Sequence, residues 1–386
     1  MLPEYRITAG FMPLTDSLLL VTALEKGFAA AEGIDLTLIR ETSWANIRDR
    51  IAVGHFDVAH MLAPMPIAAN LGLTPIAAPM IAPFALGLGG NAVTVSTALW
   101  GRMKAASAPD DLSPAPVGAA LAQVAGSTEQ KLRFAVVHQH SGHNYELRYW
   151  LAASGIDPDR QVEIVVLPPP LMADALAAGR IDGYCVGEPW NSVAVARGVG
   201  RIATVKAAIL PLSPEKVLGV SESWADSSPA AMEALLRALY RAAQWCGQAE
   251  NHAEAARLMA RPNYLDVPAS EVSHALSGHI DTGGGMVAEV HDFFVPSAHH
   301  ATLPSVTYAM WFYSQMVRWG DLAHTARHVE QARASFRPDL YRHALGGLAE
   351  LPPTDSEPLA AGSFFDGKSF DPADVASYIA SQRPYI

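Results

Sequence analysis

Gly54-His55-Phe56-Asp57 returns 125 residues later as Gly179-Arg180-Ile181-Asp182, and the punctuation behind the two copies matches. Pro64, Gly72 and Ile76-Ala77 follow the first; Pro189, Gly198 and Ile202-Ala203 follow the second, the offset slipping by one before the last pieces. A glycine that stops a helix, with an aspartate soon after it opening a strand, is the turn between the helix and strand of an α/β unit. Turn residues are common, and coincidence is the plain alternative. The reading that uses every piece is two structurally similar α/β lobes, with a ligand between the carboxyl ends of their strands.

The flanking segments support two lobes. Tyr5–Gly10 reads as a strand, Asp16–Gly33 as a helix with an Asp N-cap and a Gly stop, Asp35–Arg40 as a strand, Ala45–Val53 as a helix and Asp57–Met61 as a strand. The second set runs strand Leu132–Val137, helix His143–Ser154, strand Val162–Leu167, helix Met172–Ala178 and strand Asp182–Val186. Such alternation means βαβ units and mostly parallel sheets. Asn91–Ser96 reads as a strand passing from the first lobe to the second, and Lys216–Ser221 as the return. The expected fold class is therefore α/β, with two Rossmann-like lobes, a ligand cleft and two crossover strands. Residues 1–95 and 218–386 form the first lobe and 96–217 the second. Helices over Ser228–Gln248, Glu254–Met259 and a broken Ser305–Ala334 are expected on the first lobe, and 351–386 as a tail wrapping the surface.

The bulk numbers agree. A chain of 386 residues exceeds one ordinary core and suits two lobes. A net charge of −11 repels phosphate backbones, so direct nucleic-acid binding by this chain is not expected, and any small-anion site must be local and built from aimed donors. Two cysteines, Cys185 and Cys246, cannot make a disulfide framework. The longest apolar runs are broken by proline and glycine, so no membrane span is expected. Met1–Arg6 holds no basic stretch leading into an apolar one, and no lipidation cysteine is near. With Met1 taken as the natural start, the expected location is the cytoplasm.

Four residues stand where an anion meets donors. Trp44 precedes a helix at a strand's carboxyl end, and its indole N–H can only donate; a core tryptophan is the bland alternative. Its neighbours Thr42 and Ser43 can donate hydroxyls or simply cap the helix. His143 follows a strand and opens a helix, where unpaired backbone N–H groups carry partial positive charge; it can also be a surface cap. Lys216 lies at the return crossover, facing a cleft or solvent. Gly187 ends a second-lobe strand and either lets a backbone N–H approach a ligand or relieves a tight turn. Asn91 opens the first crossover strand. His138-Gln139-His140 with His143 makes a His-x-His-x-x-His pattern open to a metal reading. It lacks an acidic or cysteine partner at recognisable spacing, so no metal and no cofactor is expected.

The pieces Trp44-Ala45-Asn46-Ile47-Arg48-Asp49, His60-Met61-Leu62-Ala63-Pro64-Met65-Pro66, Gly90-Asn91-Ala92-Val93-Thr94-Val95 and Gly187-Glu188-Pro189-Trp190 resemble the nitrate/bicarbonate solute-binding family. The resemblance covers most of residues 5–345, and Phe364-Phe365-Asp366-Gly367-Lys368 in the tail also fits. It implies a periplasmic-binding-protein type II fold and no enzyme activity. It also implies a nitrate site of Trp44, His143, Gly187 and Lys216, with Asn91 where a glutamine is expected. Nitrate carries only acceptor oxygens, so such a site should hold donors, one positive group and no nearby free carboxylate. Bicarbonate-binding relatives carry an acidic residue in place of the lysine, so Lys216 implies nitrate or nitrite. Without an export signal, the resemblance points to the cytoplasmic nitrate sensors (NasS-like). That implies an ANTAR-type RNA-binding antiterminator partner (NasT-like), sequestered by this chain and released when the anion binds. The alternative is the substrate-binding component of an ABC transporter for nitrate or bicarbonate. Pyrimidine-making relatives in thiamin synthesis share the fold and use pyridoxal phosphate, but carry a cysteine-rich motif that this chain lacks.

Overall fold

The computed structural model describes residues 3–128 and 130–382; the first two residues of the start and the last four of the expected tail lie outside the described residues. All but β5 of the following strands build two five-stranded sheets: β1 Tyr5–Phe11, β2 Ile34–Arg40, β3 Val58–Leu62, β4 Met80–Ala85, β5 Leu88–Gly89, β6 Asn91–Ser96, β7 Leu132–Val136, β8 Val162–Val166, β9 Gly183–Gly187, β10 Gly200–Val205 and β11 Lys216–Ser221. One sheet runs β2-β1-β3-β11-β4 and the other β8-β7-β9-β6-β10, while β5 pairs with the short strand Phe294–Val295. In each large sheet the first three strands are parallel. The fourth, the crossover strand arriving from the other lobe, is antiparallel. The lobes are two copies of one topology that exchange a strand.

The paired sequence punctuation has a shared physical cause. Thr8 N donates to Asp57 Oδ2 (2.7 Å) while Asp57 N donates to Thr8 O (2.9 Å). In the second lobe Arg133 N donates to Asp182 Oδ2 (2.8 Å) while Asp182 N donates to Arg133 O (2.7 Å). Each aspartate thus clasps the first strand of its lobe to the third. Gly54 and Gly179 sit just upstream at φ +75° and +64°, the left-handed conformation that ends a helix and costs a side-chain-bearing residue energy.

Sheet pairing moves the expected lobe boundaries. β6 pairs only with β9 and β10, so residues 91–95 belong to the second lobe, and β11 pairs from its first residue with β3, so Lys216 and Val217 belong to the first. The crossovers are the segments just before these strands. They lie side by side, with Leu86 N donating to Lys216 O (2.9 Å) and Gly89 N to Ser213 O (3.0 Å).

Two further expectations change. Asp16–Gly33 is not one capped helix: a turn at Thr15–Ser17 leads into helix Leu18–Glu25, and Gly27 at φ +74° separates it from Phe28–Ala31. Asp16 makes no cap bond, and its side chain points inward. Helix Pro229–Cys246 does pack on helix Leu18–Glu25 of the first lobe, through an apolar stripe that includes Leu235, Leu236 and Leu239. Helix Val306–Arg318, however, packs against both Pro64–Asn70 of the first lobe and Gly142–Ala153 of the second. The tail is not merely a surface wrap. Phe364, Phe370 and Tyr378 are buried beside Trp311 and the second-lobe Tyr149, whose hydroxyl donates to Asp366 (2.8 Å). Among the described residues, no helix is long and apolar enough to cross a membrane.

Candidate functional site

The two crossover strands begin beside one another, and the exchange of strands makes their first residues, Asn91 and Lys216, structural counterparts. Asn91 pairs with Gly187 across β6 and β9, and Lys216 with Leu62 across β11 and β3. Around them converge the loop after β1 (Thr15, Asp16), the start of helix Trp44–Ala52, His60 of β3 and the start of helix Gly142–Ala153. All five expected residues are brought here, every one buried.

Trp44 is the first residue of its helix, behind a Ser43 cap that accepts from Asn46 N (3.2 Å). Thr42 accepts from the Asn46 amide (3.2 Å), so both hydroxyls are engaged in shaping the helix start. The indole ring meets His60 edge-on at 5.3 Å, and Lys216 Nζ lies 5.6 Å from its centre. Its Nε1–H is buried without a partner. A buried donor left so is unfavourable by about 1–3 kcal/mol, which marks it as a group meant for something else. His143 follows the same plan in the other lobe, one residue into a helix whose Ser141 cap accepts from Asn144 N (3.0 Å).

The structure corrects the expectation of a site free of carboxylates. Lys216 Nζ donates to Asp16 Oδ2 (2.8 Å), and His60 Nε2 lies 3.0 Å from Asp16 Oδ1. Glu215 lies 3.6 Å from Lys216, 3.0 Å from His143 Nδ1 and accepts from Lys206 (3.1 Å). Lys206 also pairs with Glu146, which accepts from Asn91 Nδ2 (3.1 Å). These form one buried chain of charges from His60 to Asn91, with two lysines facing three carboxylates. No carboxylate in it lacks a cationic neighbour. Burial opposes the charged form of Asp16, but Lys216 and His60 outweigh it and hold its carboxyl below the usual range. Burial likewise opposes Glu215, which His143, Lys216 and Lys206 nevertheless hold down at about 2. Burial raises the Glu146 pKa despite Lys206, and lowers that of His60 despite Asp16.

Asn91 also differs from expectation. Its amide N–H is given to Glu146, so the atom left without a partner is the acceptor Oδ1. That oxygen and Asp16 Oδ2 would each lie 3.4 Å from a Cβ placed on Gly187, which sets Gly187 against the centre of the cluster. Sequence reasoning missed Asp16, His60, Glu146, Lys206 and Glu215 as site members. Asp16 follows the first strand's carboxyl end, where a ligand is expected in this architecture, but was absorbed into a helix cap. Glu215 adjoins Lys216 and carried its own signal. Glu146 and Lys206 carried none.

The His138/His140 pair serves its turn: His140 N donates to His138 Nδ1 (3.0 Å), and His140 Nδ1 lies 3.1 Å from the Tyr145 hydroxyl. Among the described residues, no group of three or more His, Cys, Asp or Glu side chains is arranged to hold a metal ion.

Residues 2–260 match the model of the NMT1-like family. The chain belongs to the NMT1-like family. It is 32% identical over 392 residues to the nitrate/nitrite binding protein NrtA of Synechococcus elongatus, covering 98% of this chain and 86% of that one. The bicarbonate-binding protein CmpA of Synechococcus sp. is 29% identical over 399 residues, with the same two coverages. The nitrate import ATP-binding protein NrtC of Synechocystis is 34% identical over 395 residues, but the chain spans only 55% of its length. The crystal structure of the periplasmic nitrate-binding protein NrtA from Synechocystis superposes over 100% of both chains, with a TM-score of 0.90 at 29% identity. This NMT1-like chain therefore has the two-lobed periplasmic-binding-protein fold.

Proposed function

We propose that this protein is an oxyanion-binding solute receptor of the kind that serves nitrate or bicarbonate import, and that it binds rather than transforms its ligand. The observation that carries the reading is the partnerless, fully buried Trp44 N–H, set beside Lys216 where both crossover strands begin. Trp44, Lys216 and the Gly187 backbone are the donor side of the site. Lys216 exchanges its bond to Asp16 for one to the anion, or shares it.

An anion touching both crossover strands favours the closed arrangement of the lobes by its differential affinity for it. Shifting a closed population from about 1:99 to 99:1 takes roughly 5.5 kcal/mol. A charge-assisted hydrogen bond supplies about 1.5–3 kcal/mol, so at least two donors must engage together. Nitrate and nitrite are the first ligands to test, because NrtA relatives are named for them. Bicarbonate is the second, because Asn91 Oδ1 and His143 Nε2 are unpartnered atoms able to accept from its hydroxyl.

Calorimetric titration of the purified chain with nitrate, nitrite and bicarbonate tests the reading. We expect saturable binding of at least one, weakened more than tenfold by Lys216→Ala. Binding that Lys216→Ala leaves unchanged would reject the site, and no binding of any of the three would reject the function.

A second reading keeps the cleft and changes what senses its closure. In it the protein is a cytoplasmic nitrate/nitrite sensor that holds an ANTAR-type antiterminator and releases it when the anion binds. The net charge of −11 favours it in one respect, since the RNA would be left to the partner. The relatives favour the receptor. Cell fractionation separates the two: recovery outside the cytoplasm removes the sensor, and co-purification of an antiterminator that nitrate dissociates removes the receptor.

A further inference from the structure

His143 stands where charged groups from both lobes meet. Its Nδ1 lies 3.0 Å from Glu215 Oε1 on the return crossover; Lys216 and Asp16 act on it from the first lobe and Lys206 from the helix Lys206–Ile209, while Glu146 stands one turn along its own helix. Neither Nδ1 nor Glu215 Oε1 makes a hydrogen bond, but a bare ring nitrogen that close to a carboxylate is repelled, which favours the ring proton on Nδ1. In the neutral ring Nε2 is then an acceptor, fully buried and without a partner. Burial keeps the imidazole neutral, with its pKa down at about 3 against the opposing pull of Glu215. Asn91 repeats the pattern, its N–H spent on Glu146 and its acceptor Oδ1 left over.

These two acceptors sit oddly with an ion that only accepts. Nitrate and nitrite have no hydrogen to give, whereas bicarbonate carries one hydroxyl. We infer that the His143–Glu215 pair sorts oxyanions by protonation state: nitrate enters together with a proton taken from solvent onto His143 Nε2, while bicarbonate donates its own hydroxyl to that nitrogen and takes up none. Glu215 makes this possible, because its carboxylate beside the ring stabilises the imidazolium that forms. The inference rests on the proposed oxyanion site and adds to it a specificity-determining residue.

The sign follows from linkage. A nitrate beside the ring raises the His143 pKa in the complex, so between the free and the bound pKa the complex holds more protons than the free protein. In that window nitrate affinity falls by about tenfold per pH unit as pH rises. Bicarbonate binding lacks this slope.

The test is calorimetry on the full chain with sodium nitrate in two buffers of different protonation enthalpy, at about pH 6 and pH 7, and with bicarbonate at about pH 7. The expected result is uptake of up to about one proton per nitrate and none per bicarbonate. His143→Gln, whose side-chain amide is a permanent donor, should bind nitrate more weakly and without proton uptake. Glu188→Gln should keep the uptake of the unaltered chain, which controls for a buried carboxyl outside the charge chain, pushed up by burial to about 7. Nitrate heats that do not depend on buffer at either pH overturn the inference while leaving the oxyanion site standing. Undiminished uptake in His143→Gln overturns it too. Absence of nitrate heat with bicarbonate still bound overturns the inference alone; absence of heat with nitrate, nitrite and bicarbonate removes both together. Should His143→Gln fail to fold, the buffer dependence of the unaltered chain decides alone.

Discussion

Trp44 separates stability from binding at a single atom. Its ring fills the space between His60 and Lys216, while its N–H has no partner. Trp44→Phe keeps most of the ring and removes an unsatisfied donor. It should therefore leave the melting temperature unchanged or slightly raised, and weaken oxyanion binding by roughly ten- to a hundredfold, the value of one charge-assisted hydrogen bond. Parallel thermal melts and titrations check this; equal ligand affinity in the variant would mean that the indole N–H does not face the ligand. The place of this residue was legible in the sequence, where it stands after a strand and at the start of a helix. The network behind it was not. Asp16, Glu146, Lys206 and Glu215 come from four separate elements, and no spacing in the chain announces that their charges meet.

Among the elements, the two aspartate clasps make the sharpest comparison. Asp57 bonds Thr8 N, and Asp182 bonds Arg133 N, in the same geometry at equivalent places. Each Asp→Ala change frees one backbone N–H at the foot of a sheet and should cost about 1–2 kcal/mol. The pair lie in different lobes and share no partner, so the double variant should show the sum within about 0.5 kcal/mol. Denaturant unfolding of the two single variants and the double one measures this, and strong non-additivity would contradict two independent clasps. This level was the most legible: glycine stops, aspartate openings and strand-helix alternation are local, and local chemistry is written in consecutive residues. The broken helix after Asp16 escaped because Gly27, inside the span read as one helix, turns the chain at φ +74°.

Across the whole molecule, the C-terminal region ties the lobes from outside the cleft. Helix Val306–Arg318 touches both lobes, and the tail seals Trp311 and Tyr149 under Phe364, Phe370 and Tyr378. Removing residues from 352 onward should expose this aromatic cluster. At about 1.5–3 kcal/mol for each large side chain laid bare, the melting temperature should fall by several degrees or more. An unchanged melt would show that the tail contributes no packing. The cleft has its own ties: Thr15 N donates to Glu188 O (2.7 Å) and Trp190 Nε1 to Pro13 O (2.9 Å), each joining the loop after β1 to the end of β9. Closure and the site are therefore built from the same two segments.

By itself the sequence determined the doubled α/β architecture, because periodicity, turn residues and short motifs act over a few neighbours. Only the tertiary structure decided where the lobes divide, that Lys216 already shares Asp16, and that Asn91 gives its N–H to Glu146 and keeps an unpartnered acceptor. Those outcomes depend on which distant segments lie side by side, and in a buried cluster each proton is placed by the sum of all its neighbours.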